Sequence, residues 1–134
     1  MYSDSLLHIV IRLQNDDTLQ SLLSHGANVH AKDAHGRTAL HQSVGKNKRG
    51  YAEKIINAGA NINEQDDDGN TALHGAVKYC HDDDSLKCAK LLIEKGANIN
   101  EKNNSGNTPL SVGVKEGARV KCIEFLIDKG ADVN

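Results

Sequence analysis

The stretch most suggestive of chemistry in this 134-residue chain is "CHDDDSLKC", Cys80 to Cys88, which gathers two thiols, an imidazole and three carboxylates. Thiolate, imidazole and carboxylate are the ligands of zinc, so a metal site is the first chemistry to weigh. The spacing does not suit one: the cysteines are too far apart for a two-cysteine knuckle, and no second ligand pair follows. Neither this stretch nor "DDDG" at Asp66–Gly69 has the twelve-residue spacing with a distant Glu that calcium loops use. No metal is expected. The segment reads instead as a solvated acidic loop, with Cys80 near the end of one helix and Cys88 packed within the next.

Nucleophilic catalysis is the second chemistry, and it needs a Ser or Cys positioned by a His and a third group. His8, His41 and His74 each stand three residues after a hydroxyl residue, Ser5, Thr38 and Thr71. That arrangement recurs at a fixed interval, and a catalytic centre has no reason to recur. A side chain three residues after a helix N-cap can close a capping-box bond, which explains all three histidines without an enzyme. No enzyme and no cofactor are expected.

The interval is the main signal. Gly-Ala pairs begin at Gly26, Gly59, Gly96 and Gly130, in steps of 33, 37 and 34, and "TALH" at Thr38 and Thr71 returns as "TPLS" at Thr108. Within each unit "DAHG", "DDDG" or "NNSG" places Asp or Asn first and Gly fourth, the pattern of a type I turn. Thr38, Thr71 and Thr108 then sit at N-cap positions, with Ala39, Ala72 and Pro109 opening short helices. A second helix follows, with apolar residues three and four apart in "LQSLLSHG", "AEKIINAG", "AKLLIEKG" and "IEFLIDKG", and stops at a glycine suited to a left-handed C-cap. Helices of about two turns do not persist alone. Each unit must be buried against its neighbours, which predicts an all-α solenoid. With no Trp and one Phe, thin layers of Ala, Ile, Leu and Val must supply the core.

The motifs Asp-x-x-Gly-x-Thr-x-Leu-His and Leu-x-x-x-Gly-Ala-x-x-Asn, held in register at this period, make the sequence resemble the ankyrin repeat from Ser5 to Asn134. The expected division of this single domain is 1–32, 33–65, 66–102 and 103–134. The resemblance implies stacked helix-turn-helix units with hairpin or turn fingers. It also implies a non-enzymatic adaptor that binds a partner protein through a concave face of finger tips and first helices, and it implies that Asn63 and Asn100 occupy a position that asparaginyl hydroxylases modify. Three departures stand out: Ser111 in place of the motif His, "VGV" at Val112–Val114 in place of a small pair, and extra residues between the helices at "KYCHDDDSLKC" and "KEGARVK". The insertions are expected to lengthen loops, so that deleting Asp82–Asp84 would leave folding intact.

The residues that the repeat does not employ are the expected partner contacts. At the turn tips these are Ala34, His35 and Arg37, then Asp67, Asp68 and Asn70, then Asn104, Ser105 and Asn107. At the ends of the first helices they are Arg12, Lys46, Lys78 with Tyr79, and Lys115 with Glu116. The basic column could meet an acidic partner segment, although Lys at a helix end also complements the helix dipole. Asp67 and Asp68 could meet a basic one. The formal net charge of -2 gives no footprint for nucleic acid or anionic membrane, and no small-molecule substrate is implied.

Three cysteines without regular spacing predict a reducing compartment, the cytoplasm or the nucleus, and the longest apolar run near the start is too short for a signal peptide or a span. A monomer is expected, or end-to-end contact through the closing repeat, where Phe125, Leu126 and Ile127 call for a further repeat or a partner to cover them. Lys outnumbers Arg 12 to 4 with 13 Asn, a composition of AT-rich genomes, so a host-directed viral or bacterial effector is the alternative reading of the adaptor. A structural spacer within a larger protein is the other.

Overall fold

The computed structural model describes residues 5–45 and 49–134; Lys46 of the expected basic column lies outside the described residues. Eight helices are present among them: α1 (Leu6–Leu13), α2 (Asp16–Ser24), α3 (Ala39–Gly45), α4 (Arg49–Asn57), α5 (Ala72–Lys78), α6 (Asp83–Glu94), α7 (Pro109–Glu116) and α8 (Val120–Asp128). The odd-numbered helices pack in series to form one layer, the even-numbered ones form a second, and each odd helix also packs on the even helix that follows it. The fold is an all-α solenoid. No strand occurs among the described residues, so the fingers between successive units are turns.

Local chemistry explains the helix ends. Ser5, Thr71 and Thr108 hold extended backbone before α1, α5 and α7, and each side-chain oxygen accepts the N–H three residues on. Pro109 opens α7, where its missing N–H has no helical role. At the other end the N–H of Ala27, Ala60, Ala97 and Ala131 reaches back to the carbonyl of Leu22, Ile55, Leu92 and Leu126, and the preceding glycine bonds to the carbonyl one residue later. This paired closure requires a left-handed residue between them, and Gly26, Gly59, Gly96 and Gly130 supply it with φ between 79° and 102°.

The core is built from small residues. Leu19, Ala52, Ala76, Ala89, Leu92 and Leu126 are wholly buried, as are Cys80, Cys88 and Cys122, none of which is in a disulfide. Tyr51 of α4 donates its hydroxyl to the Asp16 carboxylate in the first turn of α2, which pushes the phenol up to about 12. That bond ties the first two second-layer helices together.

Two sequence expectations are corrected, and one departure from the motif is explained. The "HDDDS" segment is solvated at its acidic residues as expected, but is a loop only as far as Asp82. Asp82 is the N-cap of α6, accepting the Ser85 N–H at 2.8 Å and its hydroxyl at 2.7 Å, and Asp83 and Asp84 lie in the first turn. The extra residues lengthen the helix to 12 residues, against 9 in α2, α4 and α8, because acidic groups are stabilised at a helix N-terminus. The "VGV" departure does not disturb packing: buried Gly113 is where α7 meets α5, and a Cβ there would lie 2.5 Å from Val77 Cγ1. Finally, Leu126 needs no further cover, being fully buried, while Phe125 is half-buried and Ile127 is 43% exposed. The exposed next-layer position is on α7 instead: Val44 and Val77 are 1% and 0% exposed, and the equivalent Val114 is 64% exposed.

Two outcomes follow from these contacts. Ala is favoured over Gly inside a helix by about 1 kcal/mol, yet Gly113→Ala is expected to lower the urea midpoint because rigid, buried Val77 cannot retreat; a raised midpoint would contradict the close contact. Deleting Asp82–Asp84 is expected to lower the thermal midpoint and the helical circular dichroism, whereas an appendage loop would leave both unchanged.

Candidate interaction surface

Each finger is organised by one carboxylate or amide oxygen. Asp33 Oδ1 accepts the N–H of His35 at 2.8 Å and of Arg37 at 2.9 Å; Asp66 Oδ1 accepts from Asp68 and Asn70, and Asn103 Oδ1 from Ser105 and Asn107, at 2.9 to 3.0 Å. A backbone bond of 2.9 Å closes each turn, from Asp33 to Arg37, Asp66 to Asn70 and Asn103 to Asn107. Burial works to raise the Asp33 carboxyl, but the N–H groups of Arg37 and His35 and the Arg37 guanidinium together hold it below the ordinary carboxylate range.

The fingers are also joined to one another. The Asp67 N–H donates to the His35 carbonyl at 3.0 Å, the Asn104 N–H donates to the Asp68 carbonyl at 2.9 Å, and the Asn104 side-chain amide donates to the Asp67 carbonyl at 2.9 Å. This closeness is possible because Gly36 and Gly69 face the next finger: a Cβ on Gly69 would lie 2.6 Å from the Asn104 nitrogen. The two glycines also have φ of 73° and 79°.

The motif histidines join each helix layer to the following finger. The Thr71 N–H donates to His74 Nδ1 at 3.1 Å while the Thr71 hydroxyl accepts the His74 N–H, a reciprocal capping box. An Nδ1 that accepts carries no proton, so Nε2 must carry it, and Nε2 donates to the Asn107 carbonyl at 2.9 Å. His41 does the same between Thr38 and the Asn70 carbonyl, at 3.1 and 2.9 Å. His8 takes the Ser5 hydroxyl on Nδ1 at 2.5 Å and gives Nε2–H to the Arg37 carbonyl at 2.8 Å. Ser111 stands at the corresponding place in α7 and reaches only Thr108, Oγ1 to Oγ, at 3.3 Å. Burial pushes the imidazoles of His41 and His74 below their ordinary pKa, against the opposing pull of the Asn70 and Asn107 carbonyls.

Asn63 and Asn100 link the arms that leave the second helices. Asn63 Oδ1 accepts the Asn98 N–H at 2.7 Å, Asn100 Oδ1 accepts the Asp132 N–H at 2.8 Å, and Asn100 Nδ2 donates to the Gly130 carbonyl at 3.2 Å. Both are exposed. An ion pair of 2.7 Å between Lys32 and Glu64 runs along the same edge; it lowers the Glu64 carboxyl and raises the Lys32 ammonium.

Among the expected partner contacts, His35, Asp67, Asp68, Ser105, Lys78 and Tyr79 are exposed, and the Lys78 ammonium lies 5.5 Å from the Tyr79 ring centroid. Others carry internal duties. Arg37 pairs with Asp33 at 3.1 Å, Asn70 Oδ1 accepts from Asn103 at 2.9 Å, and Asn107 Oδ1 accepts the Lys115 ammonium at 2.9 Å. Sequence spacing could not show the cross-layer bond from Asn103 to Asn70, because it does not say which finger lies beside which. The thiols also meet across layers: Cys80 and Cys122 share a hydrogen bond, and burial pushes both thiols up. Among the described residues no three His, Cys, Asp or Glu side chains are grouped to hold a metal ion.

These layers of capped helix pairs, bridged by histidine and edged with turns, define a solenoid repeat protein. A family model described as ankyrin repeats (3 copies) matches residues 3–66 and 49–134, and the chain belongs to the ankyrin-repeat family. No curated protein matches the chain. Ankyrin repeats are generally protein-protein interaction modules and typically non-enzymatic. Among the described residues no helix is long and apolar enough to cross a membrane.

The bridges make stability depend on pH in a definite direction. His41 and His74 have folded-state pKa values below the ordinary 6.5, so the unfolded chain binds more protons as the pH falls past that value. The stability they contribute is complete above about 6.5 and is lost as the pH falls through it toward the folded pKa. The urea midpoint is therefore expected to drop between pH 7.5 and 5, a range in which the lowered Asp33 and Glu64 carboxyls stay ionised. His41→Gln with His74→Gln should flatten that drop, and a wild-type midpoint that does not change over this range would contradict the bridging geometry. His74→Ala leaves the buried Thr71 N–H without its acceptor and should cost about 2 kcal/mol at neutral pH.

Proposed function

We propose that the protein is a non-catalytic adaptor, and that it binds a partner protein along the finger tips and the adjoining ends of the first helices. The observation that carries this reading is the ladder of backbone bonds from finger to finger, Asp67 to His35 and Asn104 to Asp68. A surface held in place before binding loses little conformational entropy on binding, so its exposed side chains can be used for contact. Those side chains are mixed in character: His35 on the first tip, Asp67 and Asp68 on the second, Ser105 on the third, with Lys78 and Tyr79 at the C-terminal end of α5. Tyr79 is 44% exposed and offers the amphipathic aromatic surface that binding interfaces favour. The motif histidines support the non-catalytic part of the reading, since both ring nitrogens of His41 and His74 are engaged in holding layers together.

Affinity capture from cell lysate tests the proposal. The wild-type chain should retain a protein at moderate salt, and Asp67→Lys with Asp68→Lys and Lys78→Glu should lose it while keeping the wild-type thermal midpoint. Capture unchanged by those substitutions would place the contact elsewhere, and no capture at any salt would favour a spacer.

A further inference from the structure

The layer of second helices carries a separate feature. Between α6 and α8 lies an open groove of about 570 Å³. Its floor is apolar, made by Leu91, Ile93 and Phe125, with Leu91 only 2% exposed. Its rim is basic: Lys87, Lys90 and Lys129 line it against the single carboxylate Glu94. The Lys90 and Lys129 ammonium groups lie 5.5 and 5.9 Å from the Phe125 ring centroid, a contact that orients each cation without neutralising it. Lys87 shares the exposed Asp84 carboxylate at 3.7 Å.

The repeat does not dictate these residues. Five positions before each capping glycine stand Ser21, Lys54, Leu91 and Phe125, so the only phenylalanine of the chain falls where the other units carry no aromatic residue. One position before those glycines stand His25, Ala58, Lys95 and Lys129. Phe125 is also only partly buried, while its neighbour Leu126 is fully buried.

We propose that this groove binds an acidic segment of a partner protein that carries an apolar anchor, a phenylalanine or leucine side chain. The anchor lies on Leu91, Ile93 and the face of Phe125, where an aromatic ring can also stack in the offset arrangement. The flanking carboxylates meet Lys90, Lys129 and Lys87. A volume of about 570 Å³ falls within the roughly 300–1,000 Å³ of sites that enclose small ligands, so it admits one or two side chains. Single-stranded nucleic acid is a poorer match, because it uses successive aromatic platforms along a basic track, and here there is one ring in a chain of net charge -2. A membrane surface needs apolar side chains that protrude, whereas Leu91 is recessed. This site is independent of the finger surface, and either can fail without the other.

The test uses a fluorescein-labelled synthetic peptide, Glu-Asp-Glu-Phe-Asp-Glu-Leu-Glu-Asp, and a control of equal charge with Ser in place of Phe and Leu. Fluorescence anisotropy should show saturable binding of the first peptide at about 50 mM salt and weaker binding at about 300 mM, as expected for partly screened charges. Lys90→Glu with Lys129→Glu, and separately Phe125→Ala, should each weaken it about tenfold, or about 1.4 kcal/mol. The milder pair Lys90→Gln and Lys129→Gln should weaken it less, and thermal melts establish that each variant is folded. Amide chemical shifts should move on α6 and α8. The proposal is overturned if the wild-type chain does not bind, if the serine control binds as well, or if the folded lysine variants bind as tightly. It is overturned equally if phosphatidylserine vesicles or single-stranded DNA occupy the groove in preference to the peptide.

Discussion

Three backbone carbonyls hold this solenoid in register. Those of Arg37, Asn70 and Asn107 each accept two hydrogen bonds, one from the N–H that closes their own turn and one from the Nε2–H of a histidine in the preceding layer. A carbonyl has two lone pairs, and both are used. The same imidazole accepts on Nδ1 at the start of its own helix, so a single neutral ring caps a helix, selects its tautomer and sets the height of the next finger. Burial keeps the His41 and His74 rings neutral against the opposing pull of the Asn70 and Asn107 carbonyls. An imidazolium would point a second proton at the Thr N–H, placing donor against donor inside a buried site.

The rest of the architecture follows from the thinness of the layers. Helices this short do not persist alone, so each depends on burial of Ala, Val, Leu and Cys against neighbours. Close approach becomes the limiting condition, and it recurs as the absence of a Cβ: Gly36 and Gly69 between fingers, Gly113 between α7 and α5. In the final layer the conditions change. Ser111 replaces the bridging histidine, Val114 is exposed where Val44 and Val77 are buried, and Phe125 half-fills the side facing α6. The residues least governed by repetition are therefore concentrated around α6, α7 and α8.

Two faces divide the surface by chemistry. The finger edge is polar and pre-ordered by backbone bonds, with its charges split between acidic tips and basic helix ends. The groove on the second helices is apolar within and basic at its rim. Several finger residues that look unoccupied along the chain serve as internal links, Arg37 with Asp33, Asn70 with Asn103 and Lys115 with Asn107, which narrows the exposed set.

Local interactions were legible in the sequence because they join residues a few positions apart. The turn from Asp33 to Gly36, the hydroxyl caps at Thr71 and Thr108, the glycine stops and the period of stacking all depend on spacing along one segment. The "HDDDS" segment was misread even at that range: Asp82 follows the same N-cap logic as the threonines, but an insertion suggested a loop. What only the tertiary structure decided are bonds and contacts across layers. The donation from His74 Nε2 to Asn107, the fit of Gly113 against Val77, the pairing of Cys80 with Cys122 and the groove around Phe125 join residues roughly one repeat apart. Their distances depend on how the units stack, and spacing along the chain does not determine that.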